Sequence, residues 1–150
     1  MAPTNPTALA DQLSAATRHA RATVTAVADQ IPGGALTDGA LIPWIREQIE
    51  ALLTALFAGA GHVCPHLNHL GSAPQPAIAA AWAPERLTCN TCAPTLLAAP
   101  GDTTCDRCSR PTPALHVGAV AAGLIIFHFA LCPDCATEIG IPTPAAPDRP

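Results

Sequence analysis

The sequence has no lysine and no tyrosine, and its 150 residues include only one methionine, two tryptophans and three phenylalanines. All seven basic residues are therefore arginines, set against eleven Asp and Glu for a formal charge of −4. Nucleic-acid binders present a basic stripe to phosphate, and none is visible here, so that partner class is disfavoured. A long apolar run is also missing. A membrane-spanning helix needs about 20 such residues. The nearest segment, Val117 to Leu131, is shorter, contains His128 and reads as buried strand. Met1 to Gln12 has neither a basic stretch nor an apolar core, so it does not read as a secretory leader. Catalytic signatures are absent too: there is no H-E-x-x-H, no H-x-E of the zinc deaminases, no P-loop and no G-x-S-x-G. Neither a small-molecule substrate nor an enzyme is suggested.

What is present is apolar but small. Hydrophobic residues make up 49% of the chain, yet 32 residues are alanine, and 17 more are proline. Alanine buries little area, so an ordinary core is hard to assemble, and domains short of core commonly rely on disulfides or metals. Seven cysteines stand out against this background. An odd number does not close into a disulfide framework, and the expectation is a reducing cytoplasm with thiolates available for metal.

The N-terminal part reads as two helices. Asn5 can cap the first and Pro6 suits its first position. Leu9, Leu13, Ala16, Ala20, Val24, Val27 and Ile31 recur at spacings of three and four, a narrow apolar seam that Pro32-Gly33-Gly34 ends. Thr37 or Asp38 can cap a further turn, Pro43 suits the start of the second helix, and Ile45, Ile49, Leu52, Leu53, Leu56 and Phe57 form its apolar face before Gly59 and Gly61. The expectation is an αα-hairpin arm over 1–61, packed on the rest of the chain, on a second copy or on a protein partner. From His62 the character changes to strand-like pieces between cysteine pairs. One hairpin is expected from Ile78–Ala83 and Glu85–Thr88, turning at Ala83-Pro84. A second is expected from Leu115–Ala122 and Leu124–Leu131, turning at Gly123. The Pro-rich tail over 141–150 reads as disordered.

The cysteines carry the chemistry. Six form C-x-x-C pairs, Cys89/Cys92, Cys105/Cys108 and Cys132/Cys135, and the seventh lies in Cys64-Pro65-His66. A C-x-x-C turn brings two thiolates to one ion. Cys64, His66, Cys89, Cys92, Cys105, Cys108, Cys132 and Cys135 thus offer ligands for two tetrahedral zinc ions. The run typical of ferredoxin iron–sulfur sites is absent. His62 and His69 flank the first pair and are alternatives to His66. Two zinc ions and seven thiolates would bring the formal charge to about −7, further from phosphate binding.

Between His66 and Cys89 lie 22 residues, and between Cys108 and Cys132 lie 23. Each second pair follows a leucine, Leu87 two residues before and Leu131 immediately before, and each is followed by a short helix start. The order knuckle, hairpin, knuckle, short helix thus occurs twice. Over about residues 62–140 this resembles tandem treble-clef or zinc-ribbon fingers. The fold class implied is a small, metal-stabilised α+β protein with a helical arm and a tandem zinc-binding domain over 62–140. The repeat favours sequential sites, although the 12 residues between Cys92 and Cys105 also permit a cross-brace like that of RING domains. Cys64-Pro65-His66-Leu67 also resembles the start of ubiquitin-binding UBP-type zinc fingers, but the paired downstream histidines of that family are missing, so ubiquitin recognition is not carried over.

Eight ligands on two ions leave no open position for water or substrate, which points to a non-catalytic interaction or scaffold module. Two alternatives stand beside it. One is a nucleic-acid-associated regulator, in which Arg86, Arg107 and Arg110 meet phosphate. The other is a zinc or redox sensor whose thiolates release metal on oxidation.

Overall fold

The computed structural model describes residues 5–30, 38–67 and 75–141. Helix α1 spans Pro6–Ala28. Its start is set by local chemistry: the Asn5 side chain accepts from the Thr7 N–H at 3.0 Å, and Pro6 occupies a position whose N–H would have no helical partner. Helix α2, Pro43–Phe57, also begins on proline. Between them Asp38 caps a single turn of 3₁₀ helix, Gly39–Leu41, by accepting from the Ala40 N–H. Of the two caps expected there Asp38 is the one used, and Thr37 lies outside the described residues. So do residues 142–150, nearly all of the expected disordered tail.

Five strands follow: β1 His62–Val63, β2 Ala77–Ala80, β3 Ala83–Thr88, β4 His116–Ala122 and β5 Ile125–Leu131. Two short helices lie at cysteine pairs: α3, Ala93–Leu96, follows Cys89/Cys92, whereas α4, Pro133–Glu138, starts after Cys132 and contains Cys135, earlier than the expected start beyond the pair. The second hairpin turns at Gly123, whose φ of 58° is the left-handed conformation that glycine adopts without strain. The first turns earlier than its proline suggests. Ala81 and Trp82 make the turn, and Ala83 and Pro84 lie within β3. Pro84 is tolerated because the ladder to β2 shifts register there and β1 pairs only with Arg86 and Leu87.

The strand order is β1-β3-β2-β5-β4. The two hairpins are therefore not separate units. β2 pairs in parallel with β5, from Ala77↔Ile125 to Ala80↔His128, and joins them into one mixed sheet. Residues paired across strands share a face and alternate along each strand. One face carries Ala77, Ala79, Val120, Ile125, Phe127 and Phe129, packed with Ile45 and Leu52 of α2, and Trp44 meets Phe127 edge-on with ring centroids 6.2 Å apart. The opposite face carries Ala121 and Ile126 under Ala20 and Val24 of α1, and beside them Ile78 and Ala80 under Leu97.

The expected αα-hairpin is thereby corrected. α1 and α2 lie on opposite faces of the sheet instead of packing together. The physical reason is side-chain size. The buried part of the α1 seam, Ala16, Ala20 and Val24, is small and suits a face of Ala119 and Ala121. The α2 face is bulky and meets Phe127 and Phe129. Asp38 ties the layers: its backbone bridges to Ala121 and its carboxylate pairs with Arg21 of α1 at 2.9 Å. The next residue has no room for a side chain. A Cβ on Gly39 would lie 2.7 Å from the Val120 side chain and 3.2 Å from the Ala121 carbonyl oxygen. Gly39→Ala is expected to destabilise the fold by about 1–3 kcal/mol, the usual range for overpacking, read as a lowered denaturation midpoint at fixed zinc. An unchanged midpoint would contradict this packing.

Candidate metal centres

The first centre is built at the β1/β3 end of the sheet. Parallel pairing of His62 with Arg86 and Val63 with Leu87 brings Cys64 level with the end of β3. There the Cys64 N–H donates to the Leu87 carbonyl at 3.1 Å, and the Cys89 N–H donates to the Cys64 sulfur at 3.2 Å. A turn of 3₁₀ helix at Pro65–Leu67 follows, with the Leu67 N–H donating to the Cys64 carbonyl. It brings His66 Nδ1 to 3.1 Å from the Cys92 sulfur and 3.7 Å from that of Cys89. The C-x-x-C turn is closed by N–H donation from Cys92 and Ala93 to the Cys89 carbonyl, which leads directly into α3.

The second centre repeats this on β5. Cys105–Cys108 turn tightly, with the Ser109 N–H donating to the Cys105 carbonyl at 2.9 Å and Ser109 itself at a φ of 59°. Cys132 directly follows β5, and Cys135 lies in the first turn of α4. The Cys108 and Cys132 sulfurs are 3.9 Å apart.

Cys64, His66, Cys89 and Cys92 form one group and Cys105, Cys108, Cys132 and Cys135 the other, each with all ligand atoms within 4.8 Å of one another. Zinc–sulfur bonds of about 2.3 Å in a tetrahedron set sulfur–sulfur edges near 3.8 Å, so four-ligand groups of this size can each hold one ion. The grouping is sequential and not interleaved. It also separates the centres. Because β2 and β5 run parallel, the end of β3 and the end of β5 lie at opposite ends of the sheet, roughly 20 Å apart by strand rise. His62 is exposed on β1 and belongs to neither group, and His69 lies outside the described residues.

Both arginines beside the second centre are engaged. Arg107 grips Glu138 of α4 through both guanidinium nitrogens, at 2.5 and 2.9 Å. This holds the Glu138 carboxyl below its ordinary range. Arg110 donates to the Cys108 sulfur at 3.4 Å, which brings that thiol down to about 6. Across the centre, burial pushes Cys135 up to about 12, and the neighbouring Cys132 and Cys108 thiols add to the shift. In the first centre burial also opposes ionisation of Cys89, but hydrogen bonds from the Cys92 amide and from neighbouring thiols outweigh it and bring the group to about 7. Burial and the Cys89 thiol push Cys92 up to about 11. In each centre one thiol is already inclined to ionise, which is what a cation needs to begin binding.

One residue of consequence escaped the sequence reading. Asp106 lies between the ligands Cys105 and Cys108 and fastens this turn to β5 twice: its N–H donates to the Ala130 carbonyl at 2.9 Å, and its carboxylate accepts from the Ala130 N–H at 2.6 Å. The signal was present in the contrast between the two turns, Asp-Arg here against Asn-Thr between Cys89 and Cys92. Arg86, the third arginine near the turns, donates to the Leu96 carbonyl at the end of α3.

Comparison with protein-family models, with curated proteins and with solved structures gives no match. No described helix is long and apolar enough to cross a membrane.

Proposed function

We propose that the chain is a non-catalytic interaction module held together by two structural zinc ions. The observation that carries this reading is the complete use of the soft ligands: all seven cysteines, with His66, gather into two groups of four. A Cys₄ or Cys₃His shell is full, so it offers neither a site for activated water nor a place for substrate. Thiolates and imidazole in fours favour zinc over the hard cations, which take oxygen. The order of turn, hairpin, turn and short helix supports the treble-clef or zinc-ribbon likeness of each half. Apolar residues left exposed on the two sides of the sheet offer separate contact surfaces for a protein partner or a second copy, Leu9, Leu13 and Val27 on α1 and Phe57, 90% exposed, on α2.

The engagement of Arg86, Arg107 and Arg110 with internal partners supports a screening role for these side chains over phosphate binding. Native mass spectrometry of the chain isolated from zinc-replete cells is expected to find two zinc ions. One ion or none would overturn the two-site reading. Light scattering with and without Phe57→Ser tests the α2 surface, with a concentration-dependent dimer lost in the variant.

A further inference from the structure

We infer that the two centres are unequal, with the Cys64/His66/Cys89/Cys92 centre exchangeable and the Cys105/Cys108/Cys132/Cys135 centre permanent. The inference rests on the proposal that both centres bind zinc. Three independent features point the same way. The first is placement in the core. Cys105, Cys132 and Cys135 are members of the main apolar core with Ile45, Phe129 and Leu131, and Cys108 packs against it, whereas Cys64 and Cys89, although buried themselves, join no apolar cluster, and neither do Cys92 and His66. The second is access. His66 is an exposed ligand on a single turn of 3₁₀ helix, and every ligand of the permanent centre is at least partly buried. A competing ligand displaces zinc stepwise, and an exposed imidazole is the bond it reaches first. The third is external fastening. The permanent centre is closed by Asp106 on Ala130, Arg107 on Glu138 and Arg110 on Cys108. Arg110 bonds a ligand sulfur directly, the kind of partner commonly worth about 10–100-fold in affinity. The other centre has one such bond, from the Cys89 N–H to the Cys64 sulfur, but it lacks the additional ties of the turn to β5 and α4.

The consequence is local. Release of the exchangeable ion frees α3, which is anchored at Cys92, and opens the small cluster of Ile78, Ala80, Trp82 and Leu97 on the sheet face. Trp82 reports this directly, since its indole N–H donates to the Leu97 carbonyl at 3.1 Å. Trp44, in the main core, does not. Zinc supply would thereby uncover an apolar patch at one end of the sheet while the rest remains folded.

The test is graded removal of metal from the two-zinc protein with EDTA. A one-zinc species should accumulate. In that species iodoacetamide should modify Cys64, Cys89 and Cys92 and spare the other four cysteines. In a Trp44→Phe background the Trp82 emission should shift to the red at the same step. His66→Ala should bind one ion and keep the amide dispersion of β4 and β5. Loss of both ions together, or modification of Cys105, Cys108, Cys132 or Cys135 first, overturns the inequality. A protein that carries no zinc before EDTA is added overturns the metal reading itself, which keeps the two failures distinct.

Discussion

Cys132→Ser is expected to abolish the folded state of the sheet, not merely to empty one metal centre. Cys132 directly follows β5, is buried, and shares a core with Phe129, Leu131, Ala136 and α2. Structural zinc in small modules supplies apparent binding energies of about 10–16 kcal/mol, and a domain's whole stability is about 5–15 kcal/mol. A core of fourteen buried residues, three of them cysteines of this same centre and three of them alanines, has no reserve of that size. Far-ultraviolet circular dichroism and amide dispersion, recorded in saturating zinc, should show a largely unfolded chain. Cys92→Ser is the control: its centre lies outside the core clusters, and the same spectra should retain β4, β5 and α2. A folded Cys132→Ser protein would show that metal is not what holds the sheet together.

Phe129→Ala is expected to cost about 3–5 kcal/mol, the usual penalty for emptying a buried aromatic site. Phe129 is 1% exposed, on the sheet face that α2 covers. Its cross-strand partner is Gly118, and a Cβ there would come within 2.7 Å of the ring. The glycine thus provides the space that the phenylalanine fills, and neighbouring alanines cannot close the cavity left by truncation. Denaturant midpoints measured at one free-zinc concentration check this, because metal bound only to the native state adds its own stabilisation. A loss below about 1 kcal/mol would mean that the site collapses, as a loosely packed core does.

Much of the local structure was legible because its causes are local. Asn5-Pro6 sets the start of α1, Gly123 turns the second hairpin, and each C-x-x-C closes its own loop through adjacent amides. The three C-x-x-C pairs were legible for the same reason, since spacing alone brings paired thiols together, whereas the choice of His66 over His62 and the sequential grouping came from the fold. The first hairpin was misplaced at its proline because the register shift that accommodates Pro84 belongs to the pairing of two strands and not to either one. The placement of α1 and α2 was not legible, because each seam shows that a helix is amphipathic without showing which surface covers it.

The sequence by itself determined the helices, the second hairpin and the cysteine pairs, all consequences of short-range spacing, while it left open which histidine joins the first pair and whether the pairs combine sequentially or cross-braced. Only the tertiary structure decided that the hairpins merge through β2 and β5, that the helices divide between the two faces, and that the two centres stand at opposite ends. These depend on long-range pairing, where the size of facing side chains and the direction of a parallel ladder select among arrangements that the local pattern leaves equal.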